Sequence, residues 1–212
     1  VQLKANKIGS ECFRLWKACD AQVGDDFHIN PEEIEAKYYG VLTKIFNVAR
    51  FASQFEVPKD IDSAPTDLRP ADQWILAEFC KVTSTVEKAY TEIDIYSAAQ
   101  ALKNFGTGVF PSHWLELSKS RLYDDDANAA WTIHRIVRDL LTMFSPICPF
   151  FSHHLSTTLY GTSAVDVREF PAVPMEALGA TDEGQRLRGL TARILDFNAD
   201  TWRAKNEAGL GR

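Results

Sequence analysis

Residues 30–54 read NPEEIEAKYYGVLTKIFNVARFASQ, and this stretch carries the strongest structural signal in the chain. Its apolar residues recur in steps of four, three, four, three and four, which is the spacing of one face of an α-helix. That face comprises Ile34, Tyr38, Val41, Ile45, Val48 and Ala52. Asn30 is a good N-cap, Pro31 suits the first helical position, and Glu33 stands where a capping-box carboxylate belongs. We therefore predict a helix from Pro31 to Gln54 or Phe55.

The same periodicity continues on both sides of this stretch, and strand signals are almost absent, with residues 165–170 as the one short candidate. Gly106, Gly108 and Pro111 predict a kink or a break in a fourth helix that Asp94 caps, because glycine and proline both disfavour helix. The other helices are predicted at about 10–23, 71–91, 147–160 and 181–207, with a further one that starts at the aspartates 124–126, carries an apolar stripe from Ala130 to Phe144 and ends at Pro146. The predicted fold class is therefore all-α: an antiparallel helix bundle with helical extensions.

Composition limits the class of protein. The chain has 212 residues, 45% of them hydrophobic, which is enough for one large domain. The formal net charge of −6 argues by itself against a nucleic-acid partner, although a local basic stripe can coexist with an acidic remainder. The four cysteines form no C-x-x-C pair, which fits a reducing compartment, and we expect a cytoplasmic protein.

Targeting and membrane signals are not visible in the sequence. No run approaches the roughly 18 apolar residues of a membrane helix, so no membrane partner is expected. No signal peptide is visible in the given sequence. Because the chain opens on Val1 without an initiator methionine, we expect a fragment of a longer protein.

The sequence shows none of three common catalytic and nucleotide-binding motifs. The chain has no G-x-x-x-x-G-K-[ST] loop, no G-x-G-x-x-G fingerprint and no H-E-x-x-H pair. The neighbours His153 and His154 point about 100° apart on a helix, so they do not converge on a metal. Cys12 and Cys19 are predicted to be buried thiols, and His134 to be a structural histidine. We expect no catalytic residue and no metal site, which indicates a binding domain.

The polar side of the helix at 31–54 is more informative. It carries Thr43, Lys44, Asn47, Arg50, Phe51 and Gln54. A cation that meets phosphate, an amide that reads a base edge and a ring that stacks together suit single-stranded RNA. The alternative is an ordinary solvated face with Phe51 packed against a neighbour, and spacing alone favours that alternative.

Seven segments, taken in order, resemble class I aminoacyl-tRNA synthetases and cover nearly the whole chain. They are IGSECFRLW (8–16), VGDDF (23–27), LTKIFNVARF (42–51), DQWIL (72–76), WLELSK (114–119), FSPICPF (144–150) and residues 197–210 with Trp202 and Lys205. The segment at 23–27 and the tail with Trp202 are closest to the archaeal-type valyl branch. The chain departs from the family pattern at Gln73, where arginine is usual, and at 105–113, where the usual tryptophan, cysteine and aspartate are missing.

The resemblance implies an anticodon-binding domain that docks the anticodon stem-loop of tRNA. It implies three regions: the end of a stem-contact region at 1–29, the helical anticodon-binding bundle at 30–160, and a connector with a C-terminal helix at 161–212. The full enzyme would use ATP and Mg to join valine to tRNA, with its catalytic domain on the same chain as a partner. This fragment would hold neither cofactor.

The family's pattern places the positions of Asn47 and Arg50 at the anticodon stem-loop, and Lys44 and Phe51 are neighbours in the same motif. The predicted tRNA contacts are Lys44, Asn47, Arg50, Phe51, Lys59 and Arg69, the last two on the loop after the helix. Two alternatives stay open. One is the same domain of an isoleucyl or leucyl enzyme, and the other is a helical protein–protein interaction domain without RNA binding.

Overall fold

A computed structural model describes residues 9–20, 29–162, 170–171, 186–187 and 189–210. The helices are α1 (Ser10–Asp20), α2 (Pro31–Ala52), α3 (Pro70–Thr91), α4 (Ile95–Asn104), a π-helical segment (Phe105–Leu115), α5 (Glu116–Tyr123), α6 (Ala127–Phe144), α7 (Pro149–Tyr160) and α8 (Thr191–Glu207). No β-strand occurs in these ranges, and the all-α prediction is confirmed. The strand candidate lies outside the described residues except for Phe170, as does the end predicted for the first helix near residue 23.

The start of α2 is set by its cap. The side chain of Asn30 accepts hydrogen bonds from the backbone N–H groups of Glu32 at 3.1 Å and Glu33 at 3.5 Å. The reciprocal half of the predicted capping box differs, because the Glu33 carboxylate accepts from the side-chain amide of Asn30 at 2.8 Å and not from its backbone N–H. The helix ends at Ala52 with Ser53 as its C-cap, shortly before the predicted end.

The middle of the chain forms a long helical hairpin. Its first arm is α3, and its second, antiparallel arm consists of α4, the π-helical segment and α5. Ile93 makes the reversal with a φ of 61°, and Asp94 then caps α4 by accepting from the Ser97 N–H at 3.0 Å. At the other end of the hairpin, Trp114 Nε1 donates to Asp72 Oδ1 at 3.1 Å. The predicted antiparallel arrangement is visible in this pairing of the start of α3 with the far end of the returning run.

A kink or a break was predicted at Gly106, Gly108 and Pro111, and the structure has an irregular π-helical segment there without a break. The chain continues through wide π-helical turns, which absorb the missing N–H of Pro111 without ending the helix. Gly106 is closely packed, since a Cβ atom there would lie 3.2 Å from Cδ2 of Leu140 and 3.6 Å from Cγ1 of Ile45. A side chain at this position would therefore require Leu140 to shift by a few tenths of an ångström.

Helix α6 is the centre of the bundle. It packs against α2, α3, α4, α5 and α7, and every residue from Trp131 to Phe144 is buried. A helix surrounded in this way must satisfy its polar side chains internally. The guanidinium groups of Arg135 and Arg138 share the carboxylate of Asp139 at 2.6 and 3.0 Å. Arg138 also binds Asp62 at 2.7 Å, which ties the loop between α2 and α3 to the core.

Helix α1 packs against α2, α4 and α7 and buries Leu15 and Trp16. Cys12 and Cys19 are buried free thiols, as predicted, and burial raises the pKa of Cys19 to about 11. The side-chain amide of Gln100 donates to the Cys19 carbonyl oxygen at 2.7 Å and joins α4 to the end of α1.

Helix α8 lies on the outside and has no buried residue. Thr191 anchors its start by accepting from Trp74 Nε1 at 2.9 Å and donating to Glu78 at 2.7 Å. The first residues of the predicted helix, 181–185, lie outside the described part of the chain. None of the described helices combines the length and the apolar character needed to cross a bilayer.

Candidate nucleic-acid interface

The outer face of α2 presents the polar side chains that the sequence singled out. Lys44, Asn47 and Arg50 are all exposed, and at 100° per residue they span about 120° of the helix circumference. Neither Lys44 nor Arg50 forms an ion pair within the part of the chain that the structure describes. The two cations and the amide are thus available to an anionic partner, and their backbone is fixed by the buried opposite face of the same helix.

Phe51 has a different setting. Its ring is half-buried and packs against Phe55 at 5.1 Å and Tyr123 at 6.0 Å between centroids, with interplanar angles of 70° and 87°. Phe55 and Tyr123 are also 6.0 Å apart, so the three rings form one cluster, which we call the aromatic triad. Phe51 is therefore packed against neighbours, as the alternative interpretation of this face expected. Tyr123 is the most open member, with 62% of the residue exposed.

The two predicted contacts on the loop after α2 differ from each other. Lys59 is exposed, and the adjacent Asp60 stabilises a turn by accepting from the N–H groups of Asp62 and Ser63. Arg69 immediately precedes α3 and forms an ion pair with Asp126 at 3.1 Å. A ligand would have to compete with Asp126 for Arg69, whereas Lys59 has no ion pair among the described residues.

A buried polar network lies behind this end of the bundle. Arg121 binds both oxygens of the fully buried Asp72 and also donates from Nε to Asp126 at 3.0 Å. The hydrogen bonds to Asp72 raise the pKa of Arg121 above its ordinary value. Burial alone would raise the pKa of Asp126, but the hydrogen bonds from Arg121 and the Ala129 N–H, together with the positive charges of Arg121 and Arg69, outweigh it, and the pKa is lowered. Asp126 in turn caps α6 by accepting from the N–H groups of Asn128 and Ala129.

This network places the predicted contacts relative to one another. Asp126, which holds Arg69, follows Tyr123 by three residues, and Tyr123 touches Phe51. The start of α3, the end of α5 and the end of α2 are therefore gathered at one end of the bundle. Sequence reasoning missed Tyr123, Asp72 and Arg121, because their positions depend on contacts between helices far apart in the chain.

The predicted structural histidine is also at this end. His134 is fully buried, with Nε2 3.1 Å from the Phe55 carbonyl oxygen and Nδ1 3.4 Å from Tyr160 Oη. Because a carbonyl oxygen only accepts, Nε2 carries the hydrogen in the neutral ring. Burial lowers the pKa of His134, which favours this neutral form. His134 thus fixes the chain directly after α2, below the aromatic triad.

The described residues thus form an all-α bundle with two exposed cations and an exposed amide along one helix. Residues 72–209 match the family described as "Anticodon-binding domain of tRNA ligase", and the chain belongs to this family.

Similar proteins extend the match to helices α1 and α2. The chain is 30% identical to a valine–tRNA ligase of Aeropyrum pernix and 33% identical to one of Pyrobaculum aerophilum, over 96% of its length in both cases. It is 32% identical to a valine–tRNA ligase of Saccharolobus solfataricus over 80% of its length. The chain spans about a quarter of the length of the first two relatives and 20% of the third.

Among solved structures, the chain is similar to a LeuRS from Agrobacterium radiobacter K84 in a ternary complex with tRNA and LeuAMS. The TM-score is 0.69 at 13% sequence identity, and the match covers 84% of this chain and 21% of that one. At this identity the likeness concerns the fold alone.

Proposed function

We propose that this chain docks the anticodon stem-loop of a tRNA on the outer face of α2. The observation that carries the proposal is the row of Lys44, Asn47 and Arg50, exposed on one side of a helix whose other side is locked into the core. Cations such as Lys44 and Arg50, which form no ion pair among the described residues, neutralise phosphates at little cost, and a side-chain amide reads the edge of an unpaired base. The fixed backbone supplies the positioning that recognition requires.

The acidic net charge is compatible with this role. The carboxylates of Asp72, Asp126 and Asp139 are occupied by guanidinium groups inside the domain and add little to the field around α2. Salt screens exposed charges beyond about 10 Å, so local charge decides phosphate binding more than the sum over the chain. The row on α2 is such a local positive feature.

We further propose that the whole protein is a valine–tRNA ligase that activates valine with ATP and Mg and transfers it to tRNA. The names of the relatives support the choice of amino acid. ATP, Mg and the reacting groups would be held by a catalytic domain elsewhere in that protein, with this chain positioning the tRNA. Valine-dependent exchange of pyrophosphate into ATP by the full-length protein tests this part, and exchange driven by isoleucine or leucine instead would contradict it.

The binding proposal is tested with the purified chain and a tRNA carrying a valine anticodon. We expect the affinity to fall steeply between about 50 and 200 mM salt, because phosphate contacts release counterions. Transcripts with isoleucine or leucine anticodons on the same body are expected to bind more weakly. A helical protein–protein interaction domain would show no salt-dependent tRNA binding, and that result would overturn the proposal.

A further inference from the structure

We propose that Tyr123 is a stacking platform for an unpaired nucleobase of the bound tRNA, an inference that rests on the proposed function above. The tyrosine is the last residue of α5, and 62% of it is exposed although two neighbouring rings hold it. Exposed aromatic rings that are fixed in place bind bases well, because stacking then costs little side-chain entropy. The inference adds a contact that no sequence motif indicated.

The aromatic triad fixes the ring. Phe51 and Phe55 both pack on Tyr123 with centroids at 6.0 Å and interplanar angles of 87° and 61°. Such edge-to-face contacts are favourable beyond simple apolar burial and restrict how the tyrosine turns. Because Phe51 lies in the last turn of α2 and Phe55 follows the helix directly, the platform is attached to the helix that carries Asn47 and Arg50.

An exposed cation adjoins the aromatic triad in the chain. Arg50 precedes Phe51 in the chain, is exposed, and has no ion pair among the described residues. A base on Tyr123 with its phosphate towards Arg50 would use both features of a nucleotide at once. In this arrangement Phe51 acts through Tyr123, which gives its half-buried ring a role in binding.

The charges near Tyr123 select a base and not a phosphate. Asp124 and Asp125 follow it directly and are both exposed, with Asp125 held at a φ of 56°. Carboxylates repel phosphate but accept hydrogen bonds from exocyclic amino groups of bases. The face around Tyr123 is therefore suited to a neutral base, whereas the face of α2 is suited to the backbone.

The test uses an anticodon stem-loop RNA with 2-aminopurine placed at each loop position in turn. Stacking on a tyrosine quenches the fluorescence of this base. For Tyr123→Leu we expect the quenching at one position to be lost and the affinity to fall by about tenfold, while Tyr123→Phe stays within about twofold of the wild type. Tyr123→Leu should leave the salt slope unchanged, and Arg50→Ala should lower it by about one.

Phe150→Leu is the matched control, since Phe150 is similarly exposed but lies near the N-terminus of α7, beside α1. Thermal unfolding of each variant separates a loss of binding from a loss of folding. Wild-type affinity and quenching in a folded Tyr123→Leu, with Arg50→Ala weakened, would overturn the platform and leave the proposed function intact. Equal losses in Tyr123→Phe and Tyr123→Leu would assign the effect to the hydroxyl and also overturn stacking. Absence of binding by the wild type would overturn both proposals.

Discussion

Arg121 donates hydrogen bonds from both terminal guanidinium nitrogens to the fully buried carboxylate of Asp72, at 2.9 and 2.7 Å. The pair joins the end of α5 to the start of α3, and Trp114 completes it by donating to the same carboxylate. Removing one partner of a buried pair leaves an uncompensated charge, which is far more costly than removing an exposed pair.

We therefore expect Arg121→Leu to lower the free energy of unfolding by about 3–5 kcal/mol. Lys119→Leu is the control, because its ion pair with Glu116 is largely exposed and should contribute less than about 1 kcal/mol. Urea denaturation of both variants measures the difference. Similar midpoints for the two would show that the Asp72 carboxylate is not isolated from solvent.

Arg50→Ala should weaken tRNA binding by about tenfold without changing stability, because the lost guanidinium group has no partner within the described residues. Lys81→Ala removes the same charge from an exposed position of α3 and should leave the affinity nearly unchanged. Arg69→Ala should have a smaller effect than Arg50→Ala, since Arg69 is already paired with Asp126. Binding isotherms measured at constant salt give the tRNA affinity of each variant. An unchanged affinity in Arg50→Ala would contradict the assignment of the site to α2.

Gly106 and Gly108 lie two residues apart in the π-helical segment, and we expect substitutions at the two positions to differ in their effect on stability. Gly106→Val should destabilise the domain by about 1–3 kcal/mol, because the added atoms meet Leu140 and Ile45. Gly108→Ala meets no atom within 4 Å and should be neutral or stabilising by a few tenths of a kcal/mol. Thermal unfolding tests both changes. Equal destabilisation by the two substitutions would contradict the close packing at Gly106.

His134 should make the domain less stable in mild acid. Its pKa in the folded state is below the ordinary 6.5 because of burial, so the unfolded chain binds the proton first as the pH falls. The stability that depends on neutral His134 is complete above pH 6.5 and is lost progressively below it. Comparison with His134→Gln, which can still donate to Phe55, should show a smaller loss for the variant between about pH 7.5 and 5. Parallel pH profiles for the two proteins would refute this role.

The helices were predictable where their signals are local. Asn30 and Asp94 cap α2 and α4 through bonds to residues two or three positions away, and such bonds depend little on the rest of the fold. The π-helical form of the segment at 105–115 was not predictable, because the segment packs closely on Leu140 and Ile45, which are distant in sequence. Local propensity predicts a break there, and tertiary packing overrides it.

The residues of the candidate site were likewise predictable only where their placement depends on local structure. The alignment of Lys44, Asn47 and Arg50 follows from helical spacing, so the sequence was sufficient to place them on one face. The ion pair of Arg69 and the exposure of Tyr123 both depend on how α5 and α6 meet the loop after α2. No spacing rule reports a contact between residues 51 and 123.

The burial of Leu15 and Trp16 in α1 also bears on where the domain can be cut. A truncated protein that contains only residues 72–209, the range that matches the family, would lack α1 and α2. The apolar surfaces of α4, α6 and α7 that these helices cover would then be exposed to solvent. Large bare apolar areas of this kind promote aggregation. We therefore expect recombinant pieces that begin at or before Ser10 to remain monodisperse and pieces that begin at residue 72 to aggregate.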